Sequence, residues 1–174
     1  MYTRLEWYLG RPPIASTNAS KGIMMMITGH WIAVKDGDPR AVAIFKRHYS
    51  CVNHKANHVR YGFSGKGESM VLITLRTDCL WCWRKVESEG INCSVFRNEG
   101  DIKSSELITE ADELAWQRWP NENRHYTYVN ARKIKSRHPG YCFLKAGWDY
   151  QRDNEGKPEL TKGGLYILEV YQCQ

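Results

Sequence analysis

The chain has 174 residues, with 25 Lys and Arg against 19 Asp and Glu, giving a net charge of +6. That length can bury one sizeable core, and the positive excess favours polyanionic partners, nucleic acid first among them. Apolar residues make up 42%, with seven Trp and ten Tyr, which is too much apolar surface for a chain that stays disordered. The longest apolar stretch, 23–34, is broken by Thr28, Gly29 and His30 and is too short to cross a bilayer.

Residues 1–22 contain Pro12, Pro13 and several small polar residues and read as an N-terminal arm ahead of one domain over 23–174. They carry no apolar segment followed by a small-residue cleavage site, so the chain is expected to stay in the cytoplasm. Its six cysteines then read as thiols. Residues 24–34 are predicted to form a strand ending at the turn Lys35–Asp38. Asp38 suits a helix N-cap and Pro39 the first helical position, with Ala41, Val42, Ile44 and Phe45 turned to the core. This helix ends near His48 and Tyr49. Residues 50–69, rich in Gly and polar residues, read as an irregular loop.

Residues 70–75 and 79–86 pattern as a hairpin across Arg76, Thr77 and Asp78, and 91–96 as a further strand. Over 104–119, Leu107, Ile108, Ala111, Leu114 and Ala115 recur at helical spacing, with Glu106, Glu110, Asp112 and Glu113 on the other face, and Pro120 stops the helix. A short strand at 126–129, a brief helix from Pro139 to Gly147 and a strand at 164–171 complete the chain. Strand, helix and strand across 91–130 form a crossover unit expected to be right-handed. Trp81, Trp83, Trp116 and Trp119 read as core residues first and base-stacking platforms second.

The loop between that strand and helix can carry chemistry. A strand turning through Gly100 into a helix aims free backbone N–H groups and the positive end of the helix dipole at one point, and Arg97, Lys103, Ser104 and Ser105 reinforce it. Such a point suits a phosphate; an ordinary capped helix in a polar loop is the alternative. His48 and Tyr49, with Asp149 to orient the histidine, could move a proton, against a reading of His48 as a residue favoured by the helix dipole and Tyr49 as core. Cys51, His54, His58, Cys79 and Cys82 have the types and count of a zinc site. However, Cys79 and Cys82 should face opposite sides of a strand, so a metal is not expected. Arg132, Lys133, Lys135 and Arg137, with Arg124, form a basic segment beside Tyr126 and Tyr128, suited to phosphates and stacked bases or else a solvated loop.

The segment Arg97-Asn98-Glu99-Gly100 resembles the start of the Arg-x-x-Gly-x-Gly/Ala motif of the GNAT acyltransferases. Residues 141–148 (YCFLKAGW) are similar to the late helix of that family, which often ends in Lys-x-Gly-Phe before a final strand. Element order agrees as well. The motif's second small residue is displaced, because Asp101, Ile102 and Lys103 precede Ser104 and Ser105. The family's acid tyrosine aligns with Phe143, so it is absent or replaced by Tyr141. The resemblance implies an α/β fold, a single GNAT-like domain with a mixed central β-sheet flanked by helices. It also implies an acyl-CoA or related phosphorylated donor held by Arg97, Gly100, Lys103, Ser104 and Ser105. A narrower resemblance, to the Mom-type phage proteins that share this fold and alter adenine in DNA, rests on the basic, aromatic-rich chain with His48, Tyr49 and Asp149. It implies transfer to a nucleobase amine in DNA. An N-acetyltransferase acting on a protein or small-molecule amine, and a non-enzymatic nucleic-acid binder or inhibitor of the same fold, are the alternatives.

Overall fold

A computed structural model describes residues 27–53, 62–134 and 136–172. The arm at 1–22, His54, His58 and Lys135 lie outside them. Among the described residues one eight-stranded mixed sheet runs β1-β2-β3-β4-β5-β6-β8-β7. In chain order its strands are β1 Ile27–Thr28, β2 Trp31–Val34, β3 Ser69–Thr74, β4 Cys79–Val86, β5 Gly90–Asn98, β6 Arg124–Val129, β7 Asp149–Tyr150 and β8 Tyr166–Tyr171. The helices are α1 Pro39–Phe45, α2 Ser104–Arg118 and α3 Tyr141–Lys145, and a 3-10 turn covers Tyr49–Asn53. No helix among the described residues is long and apolar enough to cross a membrane.

The strand expected over 24–34 is instead a tight hairpin, because Gly29 takes a φ of +62° and lets Thr28 pair with Trp31 across a two-residue turn. Glu110 fastens that turn to α2, accepting from the His30 backbone N–H at 2.9 Å and meeting its ring Nδ1 at 2.8 Å. Asp38 caps α1 through the Arg40 N–H, with Pro39 at the first position, as the sequence pattern predicts.

Alternation along β3 and β4 sends side chains to two cores. Val71, Ile73, Leu80 and Cys82 pack with Ala41, Ile44 and Phe45 of α1. Leu72, Trp81 and Trp83 pack with Leu107, Ile108 and Ala111 of α2 and with Phe143 and Trp148. Cys79 and Cys82 do fall on opposite faces. α2 is anchored by indoles: Trp31 Nε1 donates to Leu107 O at 2.9 Å and Trp83 Nε1 to Ala111 O at 3.0 Å, one helical turn apart.

The site is set by the junction of β5 and β6. These strands run parallel and pair over three residues, Ile91–Cys93 against His125–Thr127. In β5, Ser94 is an extra residue: Val95 pairs with Cys82 while Cys93 pairs with Trp83, so the strand bulges there. The Ser94 hydroxyl donates to Cys82 O at 3.2 Å, holding the bulge to β4. Beyond it β5 stays with β4, and β6 stays with β8 along its whole length. The sheet therefore opens between them.

Candidate active site

That opening is a cavity of about 480 Å³. Ser94, Phe96, Arg97 and Asn98 of β5 form one wall and Tyr128 and Val129 of β6 another. His48 and Tyr49 close it from the end of α1, and Lys133, His138, Tyr141 and Phe143 close it from the segment around α3. Of the residues singled out in sequence as catalytic, the structure brings together His48, Tyr49 and Tyr141.

Asp149 does not join them, which corrects the expected trio. It lies on β7, an edge strand beyond β8, because the chain leaving α3 pairs with the outer side of β8 rather than returning to the opening. Its carboxylate is exposed, accepting from Arg152 at 3.1 Å and from the Tyr150 backbone N–H at 2.7 Å. The orienting partner of His48 is Ser50, whose Oγ lies 2.7 Å from His48 Nδ1. Burial, with the nearby Arg97 charge second, lowers the His48 imidazole to about 4, so it is neutral at physiological pH. Burial also pushes the Tyr49 phenol up.

Arg97 reaches the cavity from the C-terminal end of β5, with Nε donating to Glu99 at 2.6 Å. Glu99 also accepts from Arg47 beyond α1, and the two guanidinium groups, Arg47 foremost, hold its carboxyl at about 2. The loop from Gly100 to Ser105 continues from this wall without lining the cavity itself. Gly100 packs against the Asp78 carboxylate, which would stand 2.6 Å from a Cβ at that position. Lys103 is the N-cap residue of α2 and no side chain caps the first turn, in which the Glu106 N–H donates to Lys103 O at 3.0 Å. Asn98, which the sequence analysis passed over, shapes the loop. Its amide donates to Ile102 O at 2.8 Å and Ser104 Oγ at 3.0 Å, and its oxygen accepts from Gly100 N at 2.9 Å. An Asn two residues before a Gly at a strand end was the available signal.

The basic segment divides. Lys133 is on the cavity wall, and Arg132 and Arg137 lie in the same segment. Arg124 is not with them: it opens β6 at the strand's other end, paired with Glu169 at 2.8 Å and stacked over Tyr126 at 4.6 Å. Its partners come from β8 and from Glu89 O, long-range neighbours that a local charge pattern does not reveal.

In sequence, no family model and no curated protein matches the chain. Solved structures do match in shape. An acetyltransferase from Bacillus subtilis in complex with CoA superimposes with a TM-score of 0.52 at 9% identity, over 83% of this chain and 99% of that one. The aminoglycoside 6'-N-acetyltransferase from Enterococcus faecium gives 0.52 at 9% identity, over 84% and 97%. These matches show the fold alone: the chain has the GNAT-like α/β fold, a single domain with a mixed sheet flanked by helices.

Proposed function

We propose that the protein is a GNAT-like transferase that moves an acyl or related group from a phosphorylated donor such as acyl-CoA to an amine, and that the amine belongs to a nucleobase in DNA. The observation that carries this reading is the cavity at the parting of β5 and β6, which joins proton-bearing side chains to a strand end leading into an uncapped helix. Arg97 and the first turn of α2, with Lys103, Ser104 and Ser105, have the charge and the N–H groups to hold the donor's phosphates. When bound, the donor supplies an activated carbonyl. His48, Tyr49 and Tyr141 put hydrogen-bonding groups beside it, and aromatic side chains line the walls.

The nucleobase is favoured by the surroundings of the cavity. Tyr128 and Tyr141 are 41% and 51% exposed, and both line the cavity with Lys133. A flipped base needs such stacking faces, and its flanking phosphates need such cations. A second reading, a nucleic-acid binder that has lost its donor, is favoured by the ion pairs Arg47–Glu99–Arg97, which already engage the guanidinium at the start of the loop.

Two measurements test the proposal. Calorimetry with acetyl-CoA and CoA should show binding, and Arg97→Ala should weaken it by about tenfold or more through loss of a charge-assisted contact. Mass spectrometry of nucleosides from cells expressing the protein should reveal a modified base. Donor binding with an unmodified nucleoside pool would move the acceptor to a protein or small-molecule amine. No donor binding at all would leave the second reading.

A further inference from the structure

Two donors converge on one nitrogen of His48. Its Nδ1 lies 2.7 Å from Ser50 Oγ, and the Ser50 backbone N–H points at the same atom from 3.3 Å. The approach is built into the chain, because Cys51 N donates to His48 O at 3.0 Å and closes a turn that sets Ser50 over the ring. A backbone N–H can only donate, so it requires the Nδ1 lone pair, and the proton of a neutral ring then resides on Nε2. Protonating the ring would bury a cation beside Arg97, the charged group facing it from β5. Phe45 stacks at 6.5 Å and Tyr49 packs at 4.3 Å, and neither offers a carboxylate to offset that charge. Among the described residues, the other titratable groups on the cavity walls are Lys133, His138, Tyr128, Tyr141, Cys93 and Cys142, none of them an acid of carboxylate type.

A base working through Nε2 needs that nitrogen bare. The geometry points to the opposite role: we infer that His48 is a neutral hydrogen-bond donor whose Nε2–H faces the carbonyl oxygen under attack, and that Ser50 is the positioning residue that fixes this tautomer. The inference rests on the acyl-transfer reading. His48 keeps its proton throughout, lending a hydrogen bond to the oxygen that receives the carbonyl π pair as the acceptor nitrogen bonds to the carbon. The leaving group departs with the electron pair of its own bond, and the proton shed by the nitrogen passes to water at the open side of the cavity.

Nitrogen-15 spectra of the full chain labelled at histidine, recorded without substrate, test the tautomer apart from any activity. His48 should show a protonated Nε2 and a bare Nδ1 from neutral pH down to mildly acidic values, and Ser50→Ala should raise the share of the Nδ1–H form. A parent ring carrying its proton on Nδ1 overturns the inference. In transfer assays His48→Gln, which keeps an N–H donor but cannot take up a proton, should retain kcat within about tenfold, while His48→Ala should lose about a hundredfold. The acid limb of the pH profile should survive in His48→Gln. If Gln is as inactive as Ala in a folded protein, or if the limb disappears, His48 is the base. The expected tautomer in a protein that transfers nothing from any acyl donor would instead sink the acyl-transfer reading, and the role of His48 with it.

Discussion

Asp112 gathers three elements at one buried point. Its Oδ1 lies 2.8 Å from His125 Nδ1 at the start of β6, and its Oδ2 accepts from Trp148 Nε1, also at 2.8 Å. Burial pushes the Asp112 carboxyl up and the His125 imidazole down, which favours the uncharged form of each. Asp112→Ala leaves two buried nitrogens without partners and should cost about 2–5 kcal/mol in urea unfolding. A loss under 1 kcal/mol would mean that water replaces the carboxyl. In sequence Asp112 looked like one acid on the outer helical face; the partners that bury it arrive 13 and 36 residues later. His48 makes a prediction of pH dependence. The unfolded chain binds a proton there below the ordinary value of 6.5, the folded chain only near 4, so stability falls as pH drops through that window. His48→Gln should therefore lose less stability than the parent between pH 6.5 and 4, and an equal loss would place the proton uptake elsewhere.

At the scale of elements, α2 is fixed lengthwise by the Trp31 and Trp83 indoles and at its C-terminal end by Trp119, whose Nε1 donates to Glu68 at 2.7 Å. A helix so held presents its N-terminus at one height, leaving Asn98 to set the loop that precedes it. Asn98→Ala should weaken binding of CoA in calorimetry, with a loss of stability of about 1 kcal/mol from the missing hydrogen bonds. Unchanged affinity would detach the loop from the donor site. Elements with local signals were legible in sequence: the Asp38-Pro39 start of α1, the Arg76-Thr77-Asp78 turn, the spacing that makes α2 and the Pro120 that ends it. Features set by distant pairing were not. β7 is two residues long and exists because β8 lies beside it, and the Ser94 bulge is a mismatch between two strands that neither strand's composition records. The expected catalytic trio failed at Asp149 for the same reason, since its position depends on which side of β8 the chain pairs with.

At the scale of the whole molecule, the +6 charge acts through where it is unpaired. Lys133 lines the cavity and Arg132 and Arg137 lie in the same chain segment, whereas Arg124 is paired with Glu169. DNA affinity should fall with added salt, and charge reversal at Arg132 and Lys133 should lower it and flatten the salt slope, while Arg124→Ala should leave the slope as it was. Binding indifferent to ionic strength would remove the electrostatic footprint.

The parting of β5 from β6 has a mechanical side. The strands β1 to β5 and the strands β6 to β8 are joined in the sheet by three residue pairs, reinforced by Thr127 Oγ1 to Cys93 O at 2.9 Å and Asn92 Nδ2 to Tyr126 O at 3.3 Å. Gly90 lets the junction begin, at a φ of +104° and with room for no Cβ, since one would stand 2.5 Å from Arg124 O. Such a seam behaves as a weld line between two plates. Amide exchange should divide the protein there, with the β6–β8 amides exchanging together and ahead of those in β3–β5. Gly90→Ala, which wedges the weld at a cost of about 2 kcal/mol, should widen that gap in exchange rate rather than speed both plates alike.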